Sequence, residues 1–97
     1  MPYKHSCTKL RGMILAEFPD FRPSAGGVDL HNRMRTYQYC LWMLDQIEWT
    51  PKSTDPHNAA KMGRWIGYVF GRLEMAGLIT NQDSRDMARI DSHAGDI

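Results

Sequence analysis

Four histidines (His5, His31, His57, His93) and two cysteines (Cys7, Cys40) are the residues with which this chain could ligate a metal or attack a substrate. A structural zinc site needs four such ligands at recognisable spacing. No two histidines stand three or four residues apart, no CxxC occurs, and His5 with Cys7 makes one ligand pair at most. No metal and no cofactor is expected. A nucleophilic Cys or Ser needs a base and an orienting group beside it. Cys40 falls near the apolar edge of a helical repeat, where cysteine acts as a small core residue. The carboxylates are scattered, and "SAGGVD" (24–29) lacks the Lys and the flanking strand of a phosphate loop. The chain is therefore read as non-enzymatic, without a small-molecule substrate.

Residue types suited to binding are better organised. His31, Arg35, Tyr39, Trp42, Gln46 and Trp49 recur every three or four residues and form one stripe of a helix. Tyr, Trp and Arg are the types enriched at interface hot spots. The stripe is read as a face for a protein partner or a second copy. At least one of Trp42 and Trp49 is expected to be covered by the N-terminal segment instead. A second candidate lies in "MAGLITNQDSRDMARI" (75–90), which suits a long helix, a Gly turn and a short helix, as in helix-turn-helix motifs. Asn81, Gln82, Ser84, Arg85 and Arg89 would then contact bases or phosphates. Asp83, Asp86 and Asp91 stand among them and would repel phosphate, so DNA binding ranks as the alternative function.

The elements that must carry these residues read as helices throughout. Leu10, Met13, Ile14, Glu17 and Phe18 mark a first helix face, with Thr8 or Ser6 as its cap and Pro19 as its stop. A second helix is predicted from Asp29, its N-cap, to Trp49. Its seam of Leu30, Met34, Tyr37, Leu41 and Leu44 lies opposite the aromatic stripe, and Pro51 ends it. Asp55 then caps a third helix with Pro56 at its first position, running to about Ala76. Gly77 reads as its left-handed C′ residue. Thr80 and Asp83 are spaced as a capping box for a short fourth helix, anchored by Met87 and Ile90, with 91–97 as a frayed polar tail. The predicted fold is all-α: one domain over residues 1–97, three main helices plus a short C-terminal one, with the second and third an antiparallel pair.

The third helix poses a problem. Gly63, Gly67 and Gly71 fall inside it, and each mid-helix glycine costs roughly 1 kcal/mol against alanine. With Ala59 they recur every four residues as a bare groove beside the apolar arc of Met62, Trp65, Ile66, Val69, Phe70, Leu73 and Ala76. The groove is expected to let the second helix approach below the usual 8–10 Å spacing. The alternative is a groove for a homodimer or partner.

The bulk numbers suit a small globular domain: 97 residues, 42% hydrophobic, 24% charged, net charge +1. Residues 1–40 carry +3 and residues 41–97 carry −2, so no strong electrostatic binder of either sign is advertised. The two cysteines are read as reduced thiols of a cytoplasmic protein. The opening "MPYKHSCTKLRG" has no apolar core of a signal peptide, and no run is long enough to span a bilayer.

From Ala60 to Asp86, about a quarter of the chain, the sequence is similar to the helical hairpin of small phage and mobile-element proteins. Arg64, Trp65, Ile66, Gly67 and Tyr68, then Gly77, Thr80, Arg85 and Asp86, carry the resemblance. It implies a mobile-element origin, in which small chains act by occupying a host protein's surface, as anti-CRISPR inhibitors do. A DNA mimic would be strongly acidic, so +1 leaves the steric, protein-binding kind.

Overall fold

The computed structural model describes residues 2–27, 32–50 and 55–95. Four helices follow in order: α1 (Lys4–Glu17), α2 (Arg33–Trp49), α3 (Pro56–Met75) and α4 (Asn81–His93). Among the described residues there is no strand. Each helix packs on two others. α2 lies between α1 and α3, and α4 closes the ring by packing on α3 and α1, while the diagonal pairs do not pack. The short α2–α3 connection makes those two an antiparallel pair.

Local chemistry sets most helix ends where the residue types predict them. Asp55 accepts from the His57 amide at 2.9 Å, with Pro56 in the first turn of α3. At the other end of α3, Gly77 adopts φ +80, where a side chain would be strained. The Leu78 amide bonds the Leu73 carbonyl and the Gly77 amide bonds the Glu74 carbonyl, a Schellman closure. Thr80 and Asp83 form the reciprocal capping box of α4.

Two starts differ from expectation. α2 begins at Arg33 with Asn32 as N-cap, its side chain accepting from the Arg35 amide. The expected cap Asp29, with Leu30 and His31, lies outside the described residues. α1 begins at Lys4, ahead of the expected caps Ser6 and Thr8. Its own N-cap residue, Tyr3, offers no side-chain acceptor and sits at φ 55. The acceptor comes instead from the far end of the chain. Asp91 on α4, fully buried, takes the His5 amide at 2.9 Å and the Ser6 amide at 3.2 Å, and its second oxygen also receives the Ser6 hydroxyl. An anion at a helix N-terminus satisfies orphan N–H groups and meets the positive end of the dipole. Residues 91–93 are therefore the last turn of α4 and not a frayed tail.

The core gathers one stripe from each helix: Leu10 and Ile14; Tyr37, Cys40, Leu41, Leu44 and Ile47; Met62, Ile66, Val69, Phe70 and Leu73; and Met87. On α4 the buried positions are Ser84, Met87 and Asp91, spaced i, i+3, i+7. Ile90 falls off that line and is 47% exposed, so it does not anchor the helix. Met34, in the first turn of α2, likewise leaves the expected seam and is 56% exposed. Between α1 and α2, Phe18 stacks on Phe21 with centroids 4.4 Å apart and leans on Tyr37 at 5.2 Å. The Ser24 amide bonds the Gln38 carbonyl, which pins the connecting loop to α2. Arg11 of α1 pairs with Asp45 at 2.9 Å and with Glu48, both on α2.

Asp91→Ala leaves the α1 amides without their acceptor in a buried place, and we expect a loss of about 2–4 kcal/mol in urea unfolding. Ser6→Ala should cost about 1 kcal/mol, and the exposed Asp86→Ala less than about 0.5. Equal unfolding midpoints for Asp91→Ala and the parent would refute the capping role.

Candidate functional site

The predicted stripe of α2 lies at the surface for its whole described length. Arg35 is exposed and donates to the Gly26 carbonyl; Tyr39, Trp42 and Gln46 are half-buried; Trp49 is 70% exposed. His31 lies outside the described residues. Trp49 is thus not covered by the N-terminal segment, and the rings beside Trp42 are Tyr39, stacked at 5.6 Å, and Trp65 of α3 at 6.2 Å. The position of Trp65 on α3, on the margin of the apolar arc facing α2, puts the two indoles side by side. Lys61, one turn earlier, sets its ammonium 5.2 Å from the Trp65 ring centre. One row, Tyr39–Trp42–Trp65–Lys61, thus crosses from α2 to α3.

The structure overturns the expected role of the glycines. Gly67 and Gly71 face away from α2, and a Cβ at either would meet nothing within 4 Å. Ala59 is exposed, and Gly63 touches only the Tyr3 hydroxyl, 3.4 Å from where its Cβ would be. The arc of Met62, Ile66, Val69 and Leu73 meets the core; 100° per residue carries 67 and 71 onto the outward face. Tyr68 is partly exposed there, with its hydroxyl accepting from the Arg72 guanidinium at 3.1 Å, and Met75 is 81% exposed. Tyr68, Gly71, Arg72, Glu74 and Met75 line an open depression of about 540 Å³. The helical period already puts Lys61, Arg64, Tyr68 and Arg72 on the side of α3 opposite its apolar arc, and Lys61, Arg64 and Tyr68 are exposed there, with Arg72 half-buried.

The alternative DNA-contacting set is only partly available. Asn81 and Arg85 are exposed, but Gln82 and Arg89 both bond the Asp86 carboxylate, at 2.9 and 3.4 Å. Ser84 is buried between helices and cannot reach a base. Its position on the i, i+3, i+7 line with Met87 and Asp91 turns it inward.

Neither thiol is placed for chemistry. Cys7 and Cys40 are both free and fully buried. Burial pushes each up to about 12; Arg11 pulls Cys7 the other way against three nearby carboxylates, and Arg72 does so for Cys40. Among the described residues no three His, Cys, Asp or Glu side chains converge on a point that could hold a metal. A cleft of about 270 Å³ between α1 and α2 is lined by Leu15, Pro19, Phe21 and Leu41, and its interior charges, Arg11 and Asp45, satisfy each other. No helix among the described residues is long and apolar enough to cross a membrane. Comparison with known proteins adds no relative: no family, no curated protein and no solved structure matches this chain.

Two outcomes are expected. Gly67→Ala and Gly71→Ala should each stabilise the monomer by about 0.5–1 kcal/mol in thermal or urea unfolding, because the added methyl enters open space in a helix; destabilisation would mean the outward face is packed. Both thiols should be silent to Ellman's reagent at pH 8 until denaturant is added. Because the folded values lie above the unfolded ones, the folded state keeps protons that the unfolded chain releases. Stability should therefore fall as pH rises past about 9, and Cys7→Ala or Cys40→Ala should flatten that decline.

Proposed function

We propose that this protein is a non-enzymatic interaction module whose working surface is the α2–α3 ridge. One observation carries the reading. The half-buried aromatic row Tyr39–Trp42–Trp65 crosses two adjacent helices, and two further rings, Trp49 on α2 and Tyr68 on α3, are left at the surface of the same two helices. Aromatic rings exposed on rigid helices are the material of hot spots. A small domain gains no stability from leaving a tryptophan 70% exposed.

The occupant is another protein. The similarity of residues 60–86 to mobile-element hairpins favours a host protein in the cytoplasm, blocked sterically in the manner of an anti-CRISPR inhibitor. A homodimer through the same ridge is the competing assembly, and it predicts a molecular mass that doubles with concentration. DNA binding through α4 is disfavoured by the engagement of Gln82 and Arg89 with Asp86.

The test compares the parent with Trp49→Ala plus Tyr68→Ala, both exposed. The double variant should keep the parent's unfolding midpoint to within about 0.5 kcal/mol. It should also lose proteins that the parent retains in affinity capture from the cell that makes it. Light scattering at several concentrations separates a partner from a second copy. A strict monomer whose captured set is the same with and without the two rings would end this reading.

A further inference from the structure

We infer that the ridge, read above as a protein-binding surface, receives a carboxylate-rich helix of its partner. The argument rests on charge and on which ring faces remain open. α3 bears Lys61, Arg64 and Arg72 with no Asp or Glu from residue 56 to 73, and α2 has none from 32 to 44. The acids of α2, Asp45 and Glu48, are turned to the other side, where Arg11 holds them. None of Lys61, Arg64 and Arg72 has a carboxylate partner among the described residues. In a chain of net charge +1, this leaves an acid-free cationic strip on α3, bordered at its two ends by Asp55 and Glu74.

Two other occupants fit less well. A second copy related by a two-fold axis would set this strip against itself, like charge near like charge. Single-stranded nucleic acid is held by bases stacking on open aromatic faces. Here Trp42 neighbours both Tyr39 and Trp65, Trp65 also neighbours the Lys61 ammonium, and Tyr68 carries the Arg72 guanidinium over its ring. Of the ridge's rings Trp49, 70% exposed, is the one without such a neighbour, and along the rest of the row the cations are placed to meet carboxylates. The bare positions Gly67 and Gly71 beside the strip, with open space above them, let a helix axis come close enough for short ion pairs.

The probe is a fluorescent helical peptide with Glu along one face and Leu along the other, measured by anisotropy beside its counterpart with Gln for every Glu. The Glu peptide should bind at least about tenfold more tightly than the Gln peptide, with an advantage that shrinks as salt rises. Lys61→Gln plus Arg64→Gln should remove that advantage, and Gly67→Leu should weaken binding of the Glu peptide without unfolding the protein. Arg85→Gln plus Arg89→Gln on α4 should change nothing. Equal affinity for the two peptides, no binding of either, or indifference to the Lys61 and Arg64 changes would overturn the inference. So would a labelled DNA strand that competes for Lys61 and Arg64 and binds more tightly than the Glu peptide. If the charge variants are silent while Trp49→Ala plus Tyr68→Ala abolishes binding, the protein-binding reading stands and its acidic partner falls.

Discussion

A single buried carboxylate joins the two ends of this chain. Asp91 stands in for the N-cap that α1 lacks, and in doing so it fastens the first helix to the last across 85 residues of sequence. Tyr3 shows the strain this accepts: a left-handed non-glycine residue costs about 1–3 kcal/mol, and here it turns the chain so that the His5 and Ser6 amides converge on one side chain. Its own ring is buried against Gly63 of α3. Start of α1, end of α4 and first half of α3 therefore meet at one corner. Without that corner, α4 would be a short polar helix with one apolar anchor, Met87, and helices of 13 residues are marginal on their own.

Closing the ring decides what is left over. Every helix spends two sides on its neighbours, so α2 and α3 can present only their outward stripes. Arg11 occupies the acids on the α1 side of α2, which removes negative charge from the opposite side by geometry and not by composition. The chain as a whole is nearly neutral, yet α3 from residue 56 to 73 carries Lys61, Arg64 and Arg72 and no acid. The overall balance of charges hides this local excess.

The helices, their caps at Asp55, Gly77 and Thr80, and the arc of α3 were legible because each rests on neighbours within a turn. Asp91 was not legible, because an acceptor for α1 that arrives from the other end of the chain leaves no local spacing to find. The same fact turned the 91–97 segment into a presumed tail. The glycines were read at the right period and on the wrong side. A repeat of four drifts by 40° at each step, so Gly63 sits at the edge of the buried arc while Gly71 is well outside it. One of Trp42 and Trp49 was expected beneath the N-terminal segment, but Trp49 is 70% exposed, and only the register between α2 and α3, a tertiary quantity, sets Trp42 against Trp65.

The opening paradox of α3 then changes form. Glycines that fit one helix against another recover their propensity cost in dispersion contacts made inside the molecule. Gly67 and Gly71 recover nothing there, since no atom lies within 4 Å of the missing methyls. The monomer carries that cost on the face where Tyr68 and Met75 are also left in water and where three cations lack counter-charges. Propensity, apolar exposure and charge are three independent penalties. A domain of this size has only about 5–10 kcal/mol of stability to spread among such terms. Their coincidence on one stripe of one helix is best understood if the same contact relieves all three: a second backbone over the glycines, apolar side chains against Tyr68 and Met75, and carboxylates within reach of Lys61, Arg64 and Arg72.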